Sequence, residues 1–186
     1  VEGIQEGRFQ IAVVGGADCS ITPEVIEGFR AMGALAEDHE LRELDGLSEH
    51  EIPNYRKTSR PFGLNCGFTM GESSQYVILM NDQLAVDLGA TIFGSIPTVA
   101  SHADGGKRSI SAPGAGNYLT LAQAAASIRD LLGQNVLANE TLVQAHGTST
   151  PQNRVTESDV LSRVATAFGL NAWSVSAVKS QLGHSQ

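Results

Sequence analysis

The sequence predicts an α/β fold, and three observations carry the prediction. Short apolar segments closed by glycine alternate with longer segments whose apolar residues recur on one side, the succession of strand and helix found in layered α/β domains. Residues that start and stop helices stand at the ends of the longer segments. Two histidines and a lysine come at or just after the exits of predicted strands, the edge where parallel α/β sheets bind ligands.

In chain order, Phe9 to Val14 runs into Gly15-Gly16 and reads as a buried strand. Thr22 is placed as an N-cap, with Pro23 at the first helical position and Glu24 in the first turn. Val25, Ile26, Phe29 and Met32 then keep one side apolar until Gly33. Residues 37 to 62 are charged and contain Pro53, Asn54 and Pro61, so they read as an excursion over the surface whose acids form a solvated face. A second strand is expected at Ser74 to Met80, then a short helix from Asn81 to Leu88 stopped by Gly89, where a new unit begins. Beyond it come a strand around Thr91 to Ala100, a helix from about Tyr118 to Leu132, a strand at Thr141 to Ala145, a helix from about Thr156 to Phe168 and a strand at Trp173 to Val178.

Bulk properties narrow the function. With 186 residues, 41% of them apolar, the chain can bury one ordinary core or two small halves. Twelve Lys and Arg are scattered among 20 Asp and Glu, for a net charge of -8, so no basic stripe exists for a nucleic-acid backbone. No apolar run approaches the length of a membrane span, and no secretory signal opens the chain. Cys19 and Cys66 make neither a disulfide framework nor a metal-ligand pattern, which points to a reducing, cytoplasmic compartment and leaves a single bridge open. The lack of an initiator Met and the stop just after Gly183-His184 lead us to expect that both termini are cuts.

Two segments carry chemistry. His146 opens His146-Gly147-Thr148-Ser149-Thr150-Pro151, a strand exit of one titratable ring, a glycine and three hydroxyls; a neutral imidazole there can move a proton near pH 7 or present an N–H to a developing oxyanion. Lys179 and His184 frame Lys179-Ser180-Gln181-Leu182-Gly183-His184, where an ammonium can orient a carboxylate and hold positive potential where anionic charge develops.

Both segments resemble one family. Val143 to Pro151 is similar to the first histidine motif of β-ketoacyl-ACP synthases, the condensing enzymes of fatty-acid and polyketide synthesis, and Val175 to His184 is similar to their lysine motif and second histidine. The resemblance extends to Gly7 through Ala17, to Ser59-Arg60-Pro61-Phe62 and to Gly67-Phe68-Thr69-Met70-Gly71-Glu72, in the family's order over essentially the whole chain. It implies a partial thiolase-like layered αβαβα architecture, with residues 1–88 the remainder of a first half and residues 89–186 the beginning of a second. It also implies decarboxylative condensation of an acyl thioester with malonyl-ACP, in which His146 and His184 bind the malonyl thioester and stabilise its enolate. Lys179 would hold an electrostatic network with Glu157, and Thr148 and Thr150 would line the channel for the phosphopantetheine arm of acyl carrier protein. The implied partners are acyl carrier protein and a second copy in a homodimer, and neither metal nor nicotinamide cofactor is required.

Departures from the family pattern stand beside these matches. The resemblance places the nucleophilic cysteine upstream of Val1, so this stretch alone is expected to be inactive. Cys66 stands where the family usually carries aspartate, and both cysteines read as small, inert residues. Arg154 also replaces a usual aspartate and is expected to pair with Glu157 one helical turn on. A non-catalytic chain-length partner of a ketosynthase is the alternative, although such partners generally lose the histidines. A thiolase or a ketoacyl synthase that primes on coenzyme A would share the fold and the acyl-thioester chemistry, but a thiolase uses a different second half of the site, and a plain interaction module would leave the His and Lys fortuitous.

Overall fold

The computed structural model describes residues 1–106 and 114–185. Helix α1 (Glu2–Gln5) precedes strand β1 (Ile11–Asp18) and helix α2 (Pro23–Ala31). The N-cap of α2 is Thr22, whose Oγ1 accepts the Val25 N–H at 3.4 Å. Helix α3 (Asp38–Asp45) and a 3-10 turn (Tyr55–Lys57) then lead into β2 (Ser73–Met80) and α4 (Asp82–Asp87). The remaining elements are α5 (Ala115–Leu132), α6 (Gln134–Asn139), β3 (Leu142–Gln144), α7 (Pro151–Ala167), β4 (Ser174–Ser176) and the single turn α8 (Lys179–Leu182). The arrangement is mixed α/β.

Two small sheets organise the described residues. β1 and β2 pair antiparallel from Ile11↔Met80 to Asp18↔Ser73, whereas β3 and β4 pair parallel from Leu142↔Ser174 to Gln144↔Ser176 with α7 as the crossover. The Ala145 N–H donates to Ser176 O at 2.7 Å and carries the parallel ladder one residue further, toward His146. Beside this sheet lies the main core, Ala125, Leu137, Val164, Ala165 and Leu170, with Tyr118, Leu121, Ala122, Ile128, Phe168 and Trp173 packed against it. Trp173 also donates its indole N–H to Leu161 O at 2.9 Å, fixing the approach to β4.

Four expectations are corrected. The first strand is not buried: Val13 is 69% exposed and its partner Ile78 63%, because no described helix covers either face of the β1–β2 ribbon to the depth a buried strand needs. Residues 91–100 form no strand, since among the described residues none pairs with their backbone, and Phe93 is 98% exposed. The surface excursion contains α3, which closes on Gly46 at φ 64° and buries Leu41 to 2% exposure. Helix α7 begins at Pro151 rather than near Thr156: Thr150 Oγ1 accepts the Asn153 N–H at 3.3 Å and proline fills the first helical position, the same signature read at Thr22-Pro23.

Candidate active site

The two parallel strands deliver His146 and Lys179 to the same sheet edge. The single turn of α8 then reverses the chain, so that the His184 N–H donates to Thr69 O at 2.7 Å and His184 O accepts the Gly71 N–H at 3.0 Å. This short bridge to the residue 69–71 segment places the His184 ring against His146, with centroids 5.5 Å apart and planes at 88°. On its other side the His184 ring meets Phe68 at 5.0 Å, and Phe68 in turn meets Phe29 at 5.2 Å. Nδ1 of His184 is buried and has no hydrogen-bond partner among the described residues. Phe68 was absent from the sequence-derived site residues, although it lies inside a motif quoted for the resemblance.

Both imidazoles are held below their ordinary pKa. Burial is the first cause for each, the nearby Lys179 ammonium the second, and for His184 the neighbouring His146 adds to it; Glu157 acts in the opposite sense on His146. Lys179 therefore stands close enough to act on both rings, and the three residues read from the sequence share one site. At neutral pH the rings are neutral, each with one N–H to donate and one nitrogen to accept.

The loop after β3 is fixed by its own backbone. Glu157, on α7, accepts the His146 N–H at 2.6 Å with one oxygen, and with the other the Gly147 N–H and the Asn153 side-chain amide, both at 2.8 Å. Among the described residues it makes no ion pair with Lys179 or with Arg154; its lone pairs are spent on the strand exit. Arg154 instead donates to Gly63 O at 2.9 Å, which corrects the expected pairing with Glu157. Gly147 has φ 52°, and a Cβ there would collide with the Ala177 methyl, so this position requires glycine on both counts. Thr148 is buried and its hydroxyl lies 3.1 Å from that of Thr150, which caps α7.

Three further residues escaped the sequence reading. Ser149 is fully buried with φ 70°, a conformation that costs a non-glycine residue on the order of 1 kcal/mol or more. Its Oγ accepts the Arg60 N–H at 2.6 Å, and the preceding Ser59 donates its hydroxyl to Lys179 O at 2.9 Å. The Ser59-Arg60 pair thus spans both strand exits. A pocket of about 350 Å³ opens beside His146 and Glu157 between α5 and α7.

Comparison with known proteins gives this geometry its family. Residues 1–85 match the β-ketoacyl synthase N-terminal domain and residues 93–186 the C-terminal domain. The β-ketoacyl-[acyl-carrier-protein] synthase FabY of Pseudomonas aeruginosa is 51% identical over 185 residues, covering 100% of this chain and 29% of that protein. The 3-oxoacyl-[acyl-carrier-protein] synthase 2 of Synechocystis sp. is 33% identical, covering 97% of this chain and 39% of that one. The crystal structure of the P. aeruginosa ketosynthase FabY superposes with a TM-score of 0.93 at 51% identity, over 100% of this chain and 28% of that one. A β-ketoacyl synthase from Burkholderia phymatum superposes at 0.73 with 26% identity, over 99% of this chain and 40% of that one. The chain spans well under half the length of these relatives. With the C-terminal domain model alone matching half of its residues, and the N-terminal model most of the rest, this chain belongs to the β-ketoacyl synthase family.

Proposed function

We propose that this chain is part of a β-ketoacyl-[acyl-carrier-protein] synthase and supplies the half of the active site that decarboxylates malonyl thioester. The observation that carries the reading is the edge-to-face contact of His146 and His184 beside Lys179. In the reaction, the bond between the malonyl methylene carbon and its carboxylate breaks, carbon dioxide leaves, and the electron pair forms an enolate whose charge sits on the thioester oxygen. Two neutral imidazoles in mutual contact supply N–H donors for that oxygen, and the burial that lowers their pKa keeps them neutral. Lys179 holds positive potential at the same place. The enolate carbon then attacks an acyl thioester carbonyl, and the thiolate that carried the acyl group leaves.

Neither cysteine of this chain suits the role of that thiolate. Burial pushes the Cys66 thiol up from its ordinary pKa, against what a nucleophile needs, and among the described residues no contact brings Cys19 to His146 or His184. We therefore assign the nucleophile to another part of the longer enzyme and expect the present residues alone not to condense acyl groups. Acyl carrier protein is the proposed partner, its phosphopantetheine arm passing Thr148 and Thr150; the names of FabY and of the Synechocystis enzyme support that substrate class. A homodimer, a cytoplasmic location and a division into halves at 1–88 and 89–186 belong to the same proposal, the last supported by the family-domain limits at 85 and 93. Retention of both histidines in mutual contact disfavours a non-catalytic chain-length partner.

The test is His146→Ala in the full-length enzyme, with acyl loading and carbon dioxide release followed separately by radiolabel. Loss of one donor costs about 3 kcal/mol in the transition state, so carbon dioxide release falls by about two orders of magnitude while acyl loading persists. Normal carbon dioxide release by the variant removes His146 from the mechanism.

A further inference from the structure

The Ser59-Arg60 bracket over the two strand exits is itself held from outside the site. The Arg60 guanidinium meets the Asp45 carboxylate at the end of α3 through two parallel bonds of 2.7 Å, and the two side chains are only 20% and 27% exposed. Its Nε donates to Lys57 O, and the Asn65 side-chain amide donates to Arg60 O at 2.9 Å. Every polar group of Arg60 is therefore committed, and its backbone N–H is aimed at the buried Ser149 hydroxyl. Pro61, the next residue, would stand 3.1 Å from a Cβ on Gly147, so it lies close beside the glycine that follows His146.

We propose that Asp45, acting through Arg60, is a positioning residue that holds the His146 and Lys179 loops in register with one another. The physical reason is rigidity. Ser149 keeps an unfavourable positive φ, and one hydrogen bond from a backbone N–H that could itself drift would hold it poorly. A planar guanidinium locked by a fork fixes its own backbone, and with it both that N–H and the adjacent Ser59 hydroxyl on Lys179 O. Lysine in place of Arg60 keeps the charge and loses the fork. Leu41, fully buried on the same helix, anchors the part of α3 that precedes Asp45. The excursion at 37–62, whose acids read from sequence as a solvated face, thus contributes one acid to the site's geometry.

This inference rests on the proposed condensing reaction for its kinetic consequence, but its structural consequence is independent. Asp45→Asn and Arg60→Lys are to be made in the full-length enzyme and compared with wild type by hydrogen–deuterium exchange and by the separated assays. Deuterium uptake rises in peptides covering 145–150 and 178–184 and stays unchanged in those covering α5 and α6. Misplacement of the reacting groups lowers kcat for carbon dioxide release about tenfold, with KM for malonyl thioester within roughly twofold and acyl loading intact. The exchanged pair Asp45→Arg with Arg60→Asp recovers part of kcat. Unchanged uptake in both loops, uptake raised without loss of kcat, or equal loss of loading and decarboxylation each overturns the proposal. A wild-type enzyme that releases no carbon dioxide defeats the assigned reaction instead, and the exchange result then decides the Asp45 clamp by itself.

Discussion

His146 and His184 link the chemistry of the site to its stability. Each is held below the ordinary imidazole value of 6.5, by burial first and by Lys179 second, with His184, Glu157 and Lys179 the charged or titratable groups facing His146. The unfolded chain therefore binds more protons than the folded one between 6.5 and the lowered values. Stability from these rings is fully present above about 6.5 and is lost as pH falls through the folded values. The urea midpoint of the full-length enzyme is expected to fall from about pH 7.5 to about pH 5.5, and the fall to shrink in His146→Gln with His184→Gln. An undiminished fall in the double variant would show that other groups set the acid limb. Asp45, Asp159, Glu24 and Glu51, all lowered by hydrogen bonds, act in the same direction but only nearer their own carboxylate range. The same depression keeps both imidazoles neutral near pH 7, each with one N–H, the state that the proposed reaction uses.

Among the elements, α7 does the most to place the site. Its cap Thr150 and its Glu157 bracket the loop that begins at His146, the one from the helix start and the other from its second turn. Thr150→Ala removes the cap and the neighbour of the Thr148 hydroxyl, and an expected loss of about 1 kcal/mol follows from the cap alone. Thr150→Ser retains the oxygen and most of that stability; urea titrations of the two variants separate a hydroxyl effect from a packing effect. The helix start was legible in Thr150-Pro151, by the rule that located α2 at Thr22-Pro23, and was placed too late because the apolar periodicity begins only further on. The strand expected at 91–100 failed for the opposite reason. Its apolar composition is real, but a strand exists only where a neighbour takes its N–H and C=O groups, and composition does not name the neighbour.

At the scale of the whole molecule, the β1–β2 ribbon leaves apolar side chains exposed on both faces, Val13 and Ile78 on one and Val14 and Val77 on the other, while the β3–β4 sheet lies beside a closed core. Among the described residues no helix is long and apolar enough to cross a membrane. The proposed homodimer is to be tested on the full-length enzyme by sedimentation velocity over a wide concentration range, with a dimer expected throughout. A monomer independent of concentration removes that part of the proposal.

The sequence by itself determined the alternation of elements, the caps that begin α2 and the glycines that end α2 and α4, and the two strand exits that hold His146 and Lys179. These are local features, written in periods of two and 3.6 residues and in the capping chemistry of neighbours. Tertiary structure alone decided who meets whom across the chain. Arg60 reaches Ser149 over 89 positions, Ser59 reaches Lys179 over 120, and Arg154 chose Gly63, 91 positions away, over Glu157 one turn along its own helix. The i, i+3 rule makes Arg154 and Glu157 possible partners, but the Glu157 oxygens were already taken by the His146 N–H and by that of buried Gly147 at the exit of β3. A buried donor left unpaired costs more than a surface ion pair returns, so the fold satisfied the backbone first, and no local pattern records that choice.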